Sequence, residues 1–180
     1  MIDSPWSQTV RLGEVSRLPA GGRIERRLVA DEVERAAIAD LLNVEAIDAL
    51  EADLTVSAWF DGVQIEGRWR ADIVQICGVS LDPFPTALAG RFKVQAVPKG
   101  SDQAPREEGP EVVIDLEADD PPDVLESDVI DLAAYVVEHL ALEIDPFPRK
   151  PGVEFVLPEQ PRESSPFDAL RALKGGKADQ

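Results

Sequence analysis

Between Leu54 and Ala96 the chain repeatedly alternates apolar and polar residues. Leu54, Val56, Ala58 and Phe60 alternate with Thr55, Ser57 and Trp59, and Asp61-Gly62 follows, a pair suited to the positive φ of a tight hairpin turn. The return run carries Val63, Ile65, Trp69 and Ala71 on one side and Gln64, Glu66, Arg68, Arg70 and Asp72 on the other. A third run turns Leu88, Phe92, Val94 and Ala96 inward and Arg91, Lys93 and Gln95 outward. A period of two with one polar side fits an antiparallel sheet that packs one face on a core and leaves the other in water. Near Val74 and Ile76 the phase breaks, which predicts a bulge or a strand end buried on both faces.

Around this sheet the periodicity changes. Val10 and Leu12 alternate within WSQTVRLGEVSRL, and RIERRLVA places Ile24 and Leu28 on one side, so each predicts a strand. DEVERAAIADLLN predicts a helix, with Asp31 as N-cap, Glu34 completing the reciprocal cap, and Val33, Ala36, Ala37 and Leu41 on one face. Residues 98–110 read as a loop, EVVIDLEA as a short strand through Val112, Ile114 and Leu116, and DDPPDVLESD as a break. DVIDLAAYVVEHLAL predicts a second helix whose stripe is Val129, Leu132, Ala133, Val136 and Leu140, flanked by Ile130, Val137 and Ala141. The prolines of IDPFPRKPG end it.

The expected fold is α+β: a single domain over residues 1–157, with two main helices packed on an antiparallel sheet. Alternation alone leaves open whether that sheet stays open or curls toward a barrel. Residues 158–180 are expected to be a flexible tail. Inside it SSPFDALRALKGG has a capping Ser165, Pro166 at the first helical position, and an apolar stripe of Phe167, Leu170 and Leu173. So short a helix forms mainly when docked, on its own domain or in a partner's groove.

The charge is lopsided. The 180 residues carry a net −17, of which residues 98–145 contribute −13, and the flexible loop at their start is expected to be acidic. Such a field repels phosphate and draws basic partners. There is no basic-then-apolar leader and no apolar run long enough to span a bilayer, so the expected location is the cytoplasm.

Catalytic chemistry finds little support. Structural zinc wants about four Cys or His ligands, and the chain has Cys77 and His139 alone. Cys77 is expected to be a buried small apolar side chain rather than half of a Cys–His pair. The acidic residues Asp115, Glu117, Asp119, Asp120 and Asp123 surround two prolines with no phosphate-binding glycine loop nearby, and no nucleotide-binding or zinc-protease motif occurs. A non-enzymatic protein without a cofactor is expected. Four candidate binding elements remain. Arg68, Arg70, Arg91 and Lys93, with Trp59, form a polar strand face suited to RNA by charge and stacking. Phe147, Arg149 and Lys150 lie in a proline-stiffened segment. Asp119, Asp120 and Asp123 suit a basic client, and Phe167, Leu170 and Leu173 suit a groove.

In this order, PWSQTVRLGEV, DEVERAAIADLL, ADIVQICGVSLDPF, DVIDLAAYVVEHLALEIDPFPRKPG and SPFDALRALK resemble the YceD family of large ribosomal RNA subunit accumulation proteins, in its alphaproteobacterial form. The resemblance covers almost the whole chain. It implies a role in synthesis, processing or stability of large-subunit ribosomal RNA, with no enzymatic activity. The implied partners are ribosome-assembly or rRNA-processing proteins, a basic ribosomal protein among them, or the rRNA itself. Some relatives have Cys-x-x-Cys where this chain has Cys77 and Ser80, and that departure argues against a metal at the turn. An acidic module shielding a basic client and a carboxylate-dependent hydrolase are the alternative readings.

Overall fold

The computed structural model describes residues 5–105 and 120–155. In chain order the elements are β1 (Thr9–Arg11), α1 (Leu12–Val15), β2 (Arg23–Val29), α2 (Glu32–Leu42), β3 (Ala46–Trp59), β4 (Gly62–Ile76), β5 (Pro83–Pro98), β6 (Asp123–Leu125), β7 (Val129–Asp131) and α3 (Leu132–Glu143). The expected strand through Val112, Ile114 and Leu116 and the tail from residue 158 fall outside the described residues.

The α+β expectation holds, and the sheet is open rather than a barrel. Its order is β2-β3-β4-β5-β6, with β2 and β6 as its two edges. Strands β2 to β5 form an antiparallel meander, but β6 runs parallel to β5, pairing Ala96 with Asp123 and Pro98 with Leu125. The run DDPPDVLESD is therefore not merely a break. Its Asp-Val-Leu closes the sheet edge, too short a strand to show a period.

One buried cluster holds the described core. It joins the inner sheet face (Leu50, Leu54, Val56, Ile65, Trp69, Ile73 and Phe92) to Trp6, Val10 and Val15 and to α3. Burial of that much aliphatic and aromatic surface is the main stabilising contribution. Strand β3 starts at Ala46, eight residues before the visible alternation, because a register shift between Ile47 and Ala49 hides the earlier part. The extra residue, Asp48, lets Ile47 and Leu50 share the inner face although they are three apart. The break expected near Val74 and Ile76 lies not in β4 but in the strand beside it. β4 pairs with β5 without interruption to Ile76 and keeps Ile73 and Gln75 buried, while the shift in the β3 ladder falls opposite Asp72 and Ile73.

The hairpin also differs. Trp59 pairs with Gly62, so the two turn residues are Phe60 and Asp61, with Phe60 at φ 48°. Gly62 is the first strand residue, and its lack of a Cβ is what allows the Ala96 carbonyl to approach.

Helix α2 has the expected reciprocal cap: Asp31 Oδ1 accepts from Glu34 N and Glu34 Oε2 from Asp31 N, both at 2.8 Å. Its buried face is different from the expected one. Ile38 and Ala39 are buried while Val33 is 77% exposed and Leu41 is exposed. The reason is Arg35, which lies on the packed side and donates to the carbonyls of Ala30 and Ile47.

Leu12 does not continue β1 but opens α1. Likewise Val129 and Ile130 belong to β7, which pairs antiparallel with β1, and α3 starts at Leu132. Asp131 joins the two: its Oδ1 accepts from Ala133 N at the helix start and from Gln8 N. Residues 132–137 and Leu140 of α3 are all buried, as the wide stripe predicts.

Candidate functional site

Among the described residues, one face of the meander carries exposed and half-buried, mostly polar side chains. Register fixes its composition, because residues directly opposite across an antiparallel pair share a face. Three cross-strand rows carry the charge: Arg27–Asp53–Arg68–Arg91, then Glu25–Thr55–Glu66–Lys93, then Val29–Glu51–Arg70–Ala89. The expected residues Arg68, Arg70, Arg91 and Lys93 are thus brought together on neighbouring strands, all exposed.

Their electrostatic states differ. Glu51 bonds both Arg70 and Arg27, the latter at 2.7 Å. The hydrogen bond from Arg70 holds the Glu51 carboxyl below the usual carboxylate range, with the charge of Arg27 adding to it. Asp53 leans to Arg27 at 3.7 Å rather than to Arg68. Among the described residues neither Arg68, Arg91 nor Lys93 makes an ion pair.

Two shallow hollows of about 630 and 670 Å³ cross this face. The first lies between the Lys93 row and the Arg68–Arg91 row, the second between the Arg68–Arg91 row and the Arg70 row. Arg68 and Arg91 stand as the ridge between them. Trp59 does not complete this group. It is half-buried at the hairpin end, edge-on to Phe60 at 4.8 Å. Six residues of strand separate it from the Arg68 row, roughly 20 Å.

The acidic candidates form a second site. Asp120 and Asp123 line a hollow of about 490 Å³ with Lys93, Tyr135, Glu138 and His139. Burial raises the Tyr135 phenol above its ordinary value, and the neighbouring Asp123 charge and hydrogen bond raise it further. Sequence reasoning missed Tyr135 and Glu138, because helical spacing showed only that α3 was core. Asp119 lies outside the described residues.

His139 and Cys77 have separate surroundings. His139 stacks on Phe92 with ring centres 4.2 Å apart, and its Nδ1 lies 2.8 Å from the Tyr135 carbonyl. Cys77 is buried as expected, yet it is not a plain apolar side chain. Its Sγ accepts from the backbone N–H of Val79, Ser80 and Lys150, each at 3.4 Å. The Ser80 hydroxyl gives the largest pull and these amides add to it, bringing the thiol down to about 6.

The same contacts explain PFPRK. Gly78 N donates to the Pro148 carbonyl at 2.9 Å, Gln75 to the Asp145 carbonyl, and Lys150 Nζ lies 3.4 Å from Asp82. Lys150 is thus spent within the fold, while Phe147, 80% exposed, and Arg149 face outward. Phe167, Leu170 and Leu173 lie outside the described residues.

Among the described residues the fold is an open α+β sheet, with a buried core on one face and charged side chains on the other. The family model described as large ribosomal RNA subunit accumulation protein YceD matches residues 65–174, and the chain belongs to that family. The match begins within β4 and takes in the Cys77 turn, β5 and α3. None of the curated proteins and none of the solved structures matches the chain. No helix among the described residues is long and apolar enough to cross a membrane.

Proposed function

We propose that this protein is a non-enzymatic factor that supports synthesis, processing or stability of large-subunit ribosomal RNA, working in the cytoplasm by binding. The family's description, large ribosomal RNA subunit accumulation, supports the choice of RNA. The observation that carries the binding reading is the bare sheet face, where Arg68, Arg91 and Lys93 stand on adjacent strands without ion pairs among the described residues. A surface of this kind suits recognition, whereas reaction chemistry would want convergent groups around an enclosed hollow. The test is depletion of the protein in its own cells, followed by the ratio of large- to small-subunit rRNA. That ratio falls and is restored by the full chain; an unchanged ratio ends this reading.

The hollow at Asp120, Asp123 and Glu138 favours a second reading, in which a basic assembly protein is the direct partner. Asp120→Asn with Asp123→Asn would then slow association with a purified basic ribosomal protein and flatten its salt dependence. Unchanged on-rates at low salt would count against it.

A further inference from the structure

The four Lys and Arg residues between positions 36 and 97 are Arg68, Arg70, Arg91 and Lys93, and folding sets all of them on one face of β4 and β5. Arg68 and Arg91 are direct cross-strand partners. Like charges so placed repel and cost stability. A surface selected only for solubility has no need of that cost, since a carboxylate opposite Arg91 would serve as well. Glu51 shows the alternative two residues away, where it neutralises Arg70 and Arg27 together.

We infer that the Arg68–Arg91 ridge and Lys93 bind the phosphate backbone of RNA, with the strand lying along the hollows on either side. This rests on the family reading above and names the chemistry of the sheet face. Arg91 and Lys93 are two residues apart on one strand, about 6.6 Å, and Arg68 is one strand over at about 4.8 Å. That places the cations at intervals like those of successive phosphates along a chain. The hollows are open and shallow, which suits a polymer lying across the sheet. The large aromatic rings Trp69 and Phe92 are buried on the inner face, so bases find no stacking platform beside the ridge. The contact is therefore to backbone and nearly indifferent to sequence. The net −17 opposes approach, but charges beyond about 8 Å are screened at physiological ionic strength, and the ridge acts inside that range.

The test uses the full chain and a labelled RNA oligomer, titrated from physiological salt upward, with polyglutamate as competitor. Three backbone contacts on a single strand give log affinity falling against log salt with a slope of about −2. The combined change Arg68→Gln, Arg91→Gln and Lys93→Gln lowers affinity at least about tenfold and flattens the slope, while the melting temperature holds or rises because a repulsion is gone. Glu51→Gln does the reverse: it frees Arg70 and leaves Arg27 only its 3.7 Å contact with Asp53, tightens RNA binding and steepens the slope, a gain that misfolding would not produce. No binding, binding indifferent to the triple change, or weaker RNA binding after Glu51→Gln overturns the inference. So does polyglutamate outcompeting RNA through the same three residues, which would assign the face to an acidic protein. Any of these results leaves the depletion measurement standing as the separate judge of the family reading.

Discussion

Cys77 shows how far local hydrogen bonding changes a side chain. Its sulfur is covered, yet Gly78, Ser80, Leu81 and Asp82 around it are exposed, so the covering layer is thin. The Ser80 hydroxyl and three backbone N–H groups stabilise the thiolate more than burial opposes it, and the thiol falls to about 6. An unfolded cysteine titrates near about 8.5. Because the folded value is the lower one, the stabilisation is complete above the unfolded value and is lost as pH falls through about 6. We therefore expect the stability advantage of the native chain over Cys77→Ala to grow between those two pH values, with thiolate absorbance titrating near the lower. A thiol titrating near its unfolded value, with a pH-independent advantage, would contradict the cradle. Stoichiometric zinc in the purified protein, lost on Cys77→Ser, would overturn the expectation that the turn holds no metal.

A second residue-scale prediction concerns Gly90. A Cβ built there would meet the Trp69 ring at 2.7 Å, so the ring lies directly over the glycine. Gly90→Val should cost about 1–3 kcal/mol by overpacking, read as a lower melting temperature. No loss would mean that the ring is not seated there.

At the scale of elements, the Asp31 cap on α2 offers the simplest test. Asp31→Ala removes the acceptor for Glu34 N and should cost about 1 kcal/mol in chemical denaturation. The same helix shows what the sequence could reveal. Its start was readable because a cap depends on residues three apart. Its buried face was not, because Arg35 hides on that side by donating to backbone carbonyls, which no hydropathy pattern records. The sheet divides in the same way. Alternation exposed β4 and most of β5, including every cation of the ridge. It failed at β3 before Leu54, where the extra residue Asp48 reverses the phase, and at β6 and β7, three residues each. The unpaired state of Arg68 and Arg91 was also hidden, since register and ion pairing are set by contacts between strands. Tyr135 and Asp123 meet only after α3 and β6 have packed.

Across the whole molecule the charge is segregated. The span of residues 98–145 is strongly acidic, whereas cations and carboxylates nearly balance on the bare sheet face. Among the described residues the core runs from Trp6 to Leu140, with Ile144 packed against it. If the stripe of Phe167, Leu170 and Leu173 serves a partner's groove, removal of residues 158–180 leaves the melting temperature nearly unchanged, and a fall of many degrees would assign those residues to the core instead. The central claim is that the bare face meets large-subunit rRNA in the cell. The most direct measurement places a photocrosslinking amino acid at Ala89, exposed two residues from Arg91, and as a control at Leu142, exposed at the end of α3. Irradiated cells should yield large-subunit rRNA joined to the protein from position 89 and little from position 142. Recovery of that RNA from position 142 alone, or from neither, would contradict the account.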